Sequence, residues 1–354
     1  MGGRLDPRVA AVRSAVRADL RALMADRSDR DGTTTTTTPT ILVACSGGAD
    51  STALAAAVAF EAPRLGLRAA AVTVDHGLQS GSAERANSLV LRLRAMGLEP
   101  SRVVTVEVPV SVHGPEGAAR TARYAALDSV ADAIDACAVL LGHTCDDQAE
   151  TVLLGLARGS GVRSLAGMRG VNGRYRRPLL GLGRAVTAGA CAASDLPVWS
   201  DPHNSDPHFA RVRVRDTVMP MLERELGPGI AAALARTAEL ARADADALDI
   251  LAVAELTRLT VGAPTSEWTV NGSAADLPVD GVAGLPPAIA SRVLRSWLVA
   301  AGAPATDLTY RHVLAVTGLV SSWRGQRWVE LPGGLRVTRR DGMLRVATGP
   351  AVAG

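Results

Sequence analysis

Residues 41–51 read Ile-Leu-Val-Ala-Cys-Ser-Gly-Gly-Ala-Asp-Ser. Ile41–Cys45 is a short apolar run with the length and composition of a buried strand. Gly47 and Gly48 follow, where a chain without Cβ atoms can turn tightly and approach a ligand closely. A helical pattern then opens at Asp50 and continues to Phe60. The first N–H groups of such a helix lack partners within it and sit at the positive end of its dipole. Ser46–Ser51 therefore suits a phosphate. Ser46 and Ser51 add hydroxyl donors. Asp50 repels phosphate unless a divalent cation lies between them, so it is a candidate Mg2+ ligand or nucleotide-orienting group.

Outward from this loop, apolar runs at Ala69–Val74, Val103–Val108 and Ala138–Leu141 alternate with helical patterns at Ala83–Met96, Ala118–Ala136 and Asp146–Arg158. Strands that are apolar throughout and separated by helices form a parallel sheet covered on both faces. The expected fold class is α/β, a doubly wound parallel sheet, with ligands bound beyond the carboxyl ends of its strands. Asp75-His76-Gly77 follows one such end and suits the adenine or ribose of a nucleotide, or a reacting base. At another end, Asp146, Asp147 and Glu150 place three carboxylates at a helix start, with His143 just before it. Asp147, Glu150, Leu154 and Arg158 share a face of that helix, at i, i+3, i+7 and i+11. Acids in a first turn also serve simply as dipole partners. Beside a phosphate loop, the three read as a cation site, for Mg2+ or for a substrate ammonium.

The chain has 354 residues, enough for two or three domains. All 38 basic residues are arginine. That excludes the lysine of a P-loop NTPase, a Schiff-base lysine and a kinase lysine. Net charge is only +3, so a nucleic-acid partner must show as local clusters. Arg158–Ser194 is one, with seven arginines and no acid. Arg211, Arg213 and Arg215 follow, and Arg120 and Arg123 lie near Tyr124.

Four cysteines (Cys45, Cys137, Cys145, Cys191) form no CxxC pair, which argues against zinc ribbons and Cys-ligated iron–sulfur clusters. Reduced thiols fit a cytoplasmic protein. Met1–Asp31 has no apolar leader, and no apolar stretch reaches the ~18 residues of a membrane span. Pro7–Met24 reads as an amphipathic helix (Val9, Val12, Val16, Leu20, Leu23), and six consecutive threonines, Thr33–Thr38, read as a spacer. Ala210–Leu226 reads as helical with a break at Pro220, and Gly229–Val261 as a long Ala-rich helix. Four of the five tryptophans lie in the C-terminal third, beside a helix at Leu285–Ala301 and strands at Trp328–Leu331 and Leu335–Val346. Trp323 and Trp328 sit among arginines and are read as core residues.

Ser46–Ser51 resembles the SGGxDS signature of the PP-loop ATP pyrophosphatases, which cleave ATP between its α- and β-phosphates. Val74–Leu78, Gly142–Thr151, Arg158–Gly161, Leu165–Met168, Arg177–Leu180 and Trp199–Arg215 narrow this. They resemble the tRNA(Ile)-lysidine synthase family, from Thr40 to about Pro220 and more weakly beyond. The resemblance implies ATP and Mg2+ as cofactors, and free L-lysine and tRNA(Ile) with a CAU anticodon as substrates. AMP passes to the C2 oxygen of the wobble cytidine, and the lysine ε-amine then attacks C2 and expels AMP.

By the same resemblance, Ser46, Gly47, Gly48, Ala49, Asp50, Ser51, Asp75, His76 and His143 bind the nucleotide. Asp50, Asp147 and Glu150 are catalytic, with Asp50 and Asp147 as metal ligands. Arg120, Arg123, Arg158, Arg211 and Arg215 contact tRNA. The implied domains are an N-terminal helix and spacer (1–39), a PP-loop catalytic domain (40–220), a helical linker (221–262) and a small α+β tRNA-binding domain (263–354). Thr144 stands where this family often has a second histidine, and Val212 where asparagine is usual. The competing readings are a PP-loop tRNA thiolase, a small-molecule amide-forming enzyme of the same class, and a non-catalytic tRNA-binding module.

Overall fold

Strand β1 (Thr40–Ala44) is apolar on both faces and lies inside a sheet. Ile41 and Val43 enter one hydrophobic layer and Leu42 the other, all fully buried. The structure, a computed structural model, describes residues 5–31, 38–77, 79, 81–107, 114–159, 161–200, 206–261 and 276–348. Most of the threonine run, Leu78, Val108, Ser160, residues 201–205 and Trp268 lie outside these residues. The chain divides into two units, 1–239 and 240–354.

The first unit runs α1 (Pro7–Asp31), β1, α2 (Ala49–Glu61), β2 (Arg68–Asp75), α3 (Ser82–Ala95), β3 (Ser101–Thr105), α4 (Gly114–Ala133) and β4 (Ala136–Leu141). There follow α5 (Cys145–Ala157), α6 (Val162–Leu165), β5 (Val171–Asn172), β6 (Tyr175–Arg176), α7 (Arg184–Ala193) and α8 (Ala210–Arg213). A π-helical turn (Val214–Val218), α9 (Met219–Leu226) and α10 (Ile230–Thr260), which continues into the second unit, complete it. The strand order is β3-β2-β1-β4-β6-β5. All neighbours are parallel except β5, which pairs antiparallel with β6 at the edge.

One face of the sheet packs on apolar residues of α1, α2, α3 and α7, and the other on α4. The chain leaves β1 toward β2 on one side and returns to β4 on the other. The switch point therefore opens a crevice at the carboxyl ends of β1 and β4.

Helix α1 packs into the core of the first unit. Val9, Val12, Val16, Leu20 and Leu23 are buried in the same layer as Ile41 and Val43. Arg17 also makes two 2.8 Å bonds to the buried Glu61 of α2. An amphipathic face shows in sequence, but the surface that receives it does not.

The second unit holds β7 (Leu277–Pro278), α11 (Val279–Ala283), α12 (Pro287–Ala300), α13 (Tyr310–Ser321), β8 (Val329–Leu331), β9 (Leu335–Arg340) and β10 (Met343–Thr348). Its antiparallel sheet has the order β7-β10-β9-β8. Alternation along β9 and β10 sends Leu335, Val337, Leu344 and Val346 into a core with Trp297.

Candidate active site

The glycine loop stands at the carboxyl end of β1. Gly47 adopts φ +86°, a conformation that favours glycine, and Gly48 leads into α2. The Ser51 hydroxyl accepts the Ser46 amide at 3.1 Å and donates to the Gly48 carbonyl at 3.1 Å. Ser51 is buried and staples the loop, whereas Ser46 is exposed at its mouth. The Trp199 amide donates to the Gly47 carbonyl at 2.9 Å and fixes the outer side of the turn.

Gly142, after β4, brings the acidic helix against this loop. A Cβ there would lie 3.0 Å from backbone atoms of Asp50 and Ser51. The three carboxylates expected to form one cation site all meet Arg184, each in a different way. Asp146 accepts the Arg184 amide at 2.7 Å and so caps α7. Asp147 Oδ2 accepts the Thr144 amide at 2.8 Å and its hydroxyl at 3.0 Å, capping α5. Its Oδ1 lies 3.3 Å from Arg184 Nη2. Glu150, with a side chain 1% exposed, meets three guanidinium groups. Arg211 Nε donates to it at 2.7 Å, Arg215 at 2.8 and 3.1 Å, and Arg184 at 3.2 Å. Among the described residues no three His, Cys, Asp or Glu side chains group as a metal site.

Arg184 joins the two constellations. Its Nε lies 3.7 Å from Asp50 Oδ2, while its Nη2 reaches Asp147 and Glu150. Thr187 Oγ1, from the same helix, donates to Asp50 Oδ1. Two carboxylates turned toward one cation are a donor set that Mg2+ also takes, with phosphate oxygens and waters completing six. Asp50 and Asp147 are the carboxylates that would hold Mg2+, at the position where Arg184 lies between them.

Burial pushes the Asp50 carboxyl above its ordinary value, against the pull of Thr187 and Arg184. For Asp147, burial is outweighed by the Thr144 amide and by Arg211 and Arg184, and the carboxyl falls below its usual range. For Glu150, burial is likewise outweighed by the bonds from Arg215 and Arg211. Burial, with Arg177, Arg123 and Arg211 nearby, lowers His143 to about 3. The imidazole is neutral at physiological pH, and its buried Nδ1 meets no hydrogen-bond partner among the described residues.

The remaining expected residues divide. Asp75 accepts the Gly77 amide at 2.9 Å and the Ser82 hydroxyl at 3.1 Å, so both carboxylate oxygens brace the loop after β2, beside His76. Arg211 and Arg215, expected on tRNA, are counter-ions of Glu150. Arg123 is half-buried and Arg120 exposed beside the Tyr124 ring, 5.7 and 5.0 Å from its centroid. Arg158 is exposed just past α5. Arg177, which donates to Tyr124 Oη at 3.3 Å, together with Arg184 and Thr187, was not singled out as a site residue by the motifs. All three lie within the acid-free block, and Arg177 also opens the Arg177–Leu180 motif. Burial raises the Cys45 thiol, and Cys191 to about 11, the opposite of an activated sulfur.

A glycine loop at a switch point, with an acidic helix across the crevice, defines a PP-loop protein, and residues 14–222 match the family model described as a PP-loop domain. A second model, described as a TilS substrate binding domain, matches residues 277–345. The tRNA(Ile)-lysidine synthase of Thermobifida fusca (strain YX) is 54% identical over 342 residues, 96% of this chain and 98% of its own length. That of Streptomyces coelicolor is 49% identical, covering 97% of this chain and 99% of its own. The chain belongs to the tRNA(Ile)-lysidine synthase family. Among solved structures, the U34-tRNA thiolase NcsA from Methanococcus maripaludis, with its [4Fe-4S] cluster, shares the fold. The TM-score is 0.52 at 18% identity, covering 66% of this chain and 80% of that one.

Proposed function

We propose that this chain ligates lysine to C2 of the wobble cytidine of tRNA(Ile) with a CAU anticodon, consuming ATP and releasing pyrophosphate and AMP. The observation that carries the reading is the junction at Arg184, where the phosphate loop's Asp50 and the acidic helix face one crevice. The triphosphate lies on the loop amides, with Ser46 and His143 as further partners. The cytidine C2 oxygen attacks the α-phosphorus, forming an O–P bond, and the α–β bridge breaks to release pyrophosphate. Asp50 and Asp147 hold Mg2+, which neutralises phosphate charge when bound.

In the second step the lysine ε-nitrogen attacks C2, and the C2–O bond breaks with AMP as the leaving group. A protonated amine is no nucleophile, so a carboxylate must take its proton. Asp147 and Glu150, on the helix that faces the loop, are the carboxylates proposed for lysine recognition or for taking that proton. Asp147 and Glu150, set among Arg184, Arg211 and Arg215, match a zwitterion: guanidinium for the lysine carboxylate, carboxylate for its ammonium. Reduced thiols support a cytoplasmic setting; all four cysteines are free, and no described helix is long and apolar enough to cross a membrane.

Nucleoside mass spectrometry of tRNA(Ile) after incubation with ATP and lysine tests the reading. A lysine-sized mass gain on the wobble cytidine supports it. A sulfur-for-oxygen change, or no change with the chain tightly bound to tRNA, favours the thiolase or the binding module.

A further inference from the structure

The connection between α13 and β8 contains Trp323-Arg324-Gly325-Gln326-Arg327-Trp328, every residue exposed and none acidic. Trp323 is 47% exposed and Trp328 39%, against 2% for Trp297 in the same unit's core, so the expectation that both are core residues is corrected. Each ring is backed by a guanidinium from β9. Arg339 lies 5.0 Å from the Trp323 centroid and Arg336 4.7 Å from that of Trp328. Arg327 lies 5.2 Å from the Trp328 centroid. The backing groups are themselves tied down. Arg339 donates to the Leu319 and Val320 carbonyls at 2.8 and 3.2 Å, and Arg336 to Glu330 at 2.8 Å.

A large aromatic ring left in water forgoes the gain of burial. Here two such rings bracket two exposed arginines and rest on fixed cations. Aromatic faces beside guanidinium groups are the chemistry that binds single-stranded nucleic acid: bases stack on the rings and phosphates meet the charges. An acidic or apolar protein surface would use one half of this set, whereas RNA uses both.

We propose that this loop is an RNA-binding element, at which Trp323 and Trp328 stack unpaired nucleobases of the tRNA substrate while Arg324 and Arg327 meet its phosphates. The proposal rests on the tRNA reading above and adds a contact site remote in sequence from the phosphate loop.

Binding of a tRNA(Ile) transcript to the full chain is measured across a KCl series. Trp323→Ala and Trp328→Ala each weaken binding by about fivefold to a hundredfold with an unchanged salt slope, since stacking is worth about 1–3 kcal/mol per base. Trp→Phe at either position retains most of the affinity. Arg324→Gln with Arg327→Gln flattens the salt slope by about one to two. A second readout does not depend on the alanine variants folding: tRNA quenches tryptophan emission of the wild type, and most of that quenching is gone in the Trp323→Phe, Trp328→Phe chain.

The proposal is overturned if the alanine variants bind tRNA within about twofold of wild type, or if they lose self-association and keep tRNA. Lysidine formation by the wild type is scored separately. Its absence with these binding effects intact defeats the functional reading alone, and its presence with unchanged variants defeats this loop alone.

Discussion

Replacing Glu150 with glutamine keeps the side chain's volume and removes its charge. The carboxylate now accepts four contacts of 2.7–3.2 Å from Arg184, Arg211 and Arg215. A charge-assisted bond that becomes neutral loses about 1 kcal/mol. The three guanidiniums are 26–29% exposed, so water offsets part of the loss, leaving about 2–3 kcal/mol against folding. The sign with pH follows from the lowered carboxyl of Glu150. Its stabilisation is complete above the ordinary value of 4.5 and is lost as pH falls through the lower folded value. The variant lacks that acid-side loss.

In function, the same substitution weakens the zwitterion site. The lysine KM, measured from AMP release at saturating ATP and tRNA, rises about tenfold or more. Transfer of AMP to tRNA without lysine changes by less than about threefold, because the loop and Asp50 are untouched. Unchanged lysine KM and an unchanged denaturation midpoint would refute the assignment of Glu150 as the charge that organises these arginines.

Gly142→Ala should lower the rate of AMP formation in a folded chain, since its Cβ would meet the Asp50–Ser51 backbone at 3.0 Å and push the loop by a few tenths of an ångström; full turnover in a steady-state assay counts against the packing described. Asp50→Asn should stop AMP release while tRNA affinity, read by filter binding, stays near wild type. His143, lowered to about 3, lets the unfolded state bind the extra proton as pH falls below 6.5, so stability declines across that window; His143→Asn should flatten it in denaturant titrations. Leu20→Ala should cost about 2–5 kcal/mol, because α1 is part of the main core, and a shift of a few tenths would mean that it is not.

The central strands were legible because Ile41–Val43 and Val139–Leu141 are apolar on both faces, a pattern only a doubly covered sheet explains. The β5–β6 hairpin was not, since two-residue strands carry no period. Helix α7 is harder to read because its buried side (Thr187, Ala190, Cys191) carries no Leu, Ile or Phe to mark it. α13 went unread beside the better-marked strands that follow it.

At the site, local chemistry was legible and its pairing was not. Asp147 was read as a ligand from its place in a first turn, yet one of its oxygens is spent on the Thr144 cap. Arg211 and Arg215 are assigned to RNA on the resemblance of the Trp199–Arg215 segment alone. Their partner, Glu150, lies about sixty residues earlier in the chain. The tryptophans at 323 and 328 were given to the core on frequency alone, whereas exposure is set by the fold.

The central claim is that the loop at Gly47 and the acids across the crevice perform two successive transfers. A single-turnover reaction with α-labelled ATP and tRNA(Ile), first without lysine and then with it, tests this most directly. The account predicts label on the wobble cytidine before lysine is added and its release as AMP afterwards, with neither seen in Asp50→Asn. Label that never reaches the tRNA, or that lysine fails to displace, would contradict it.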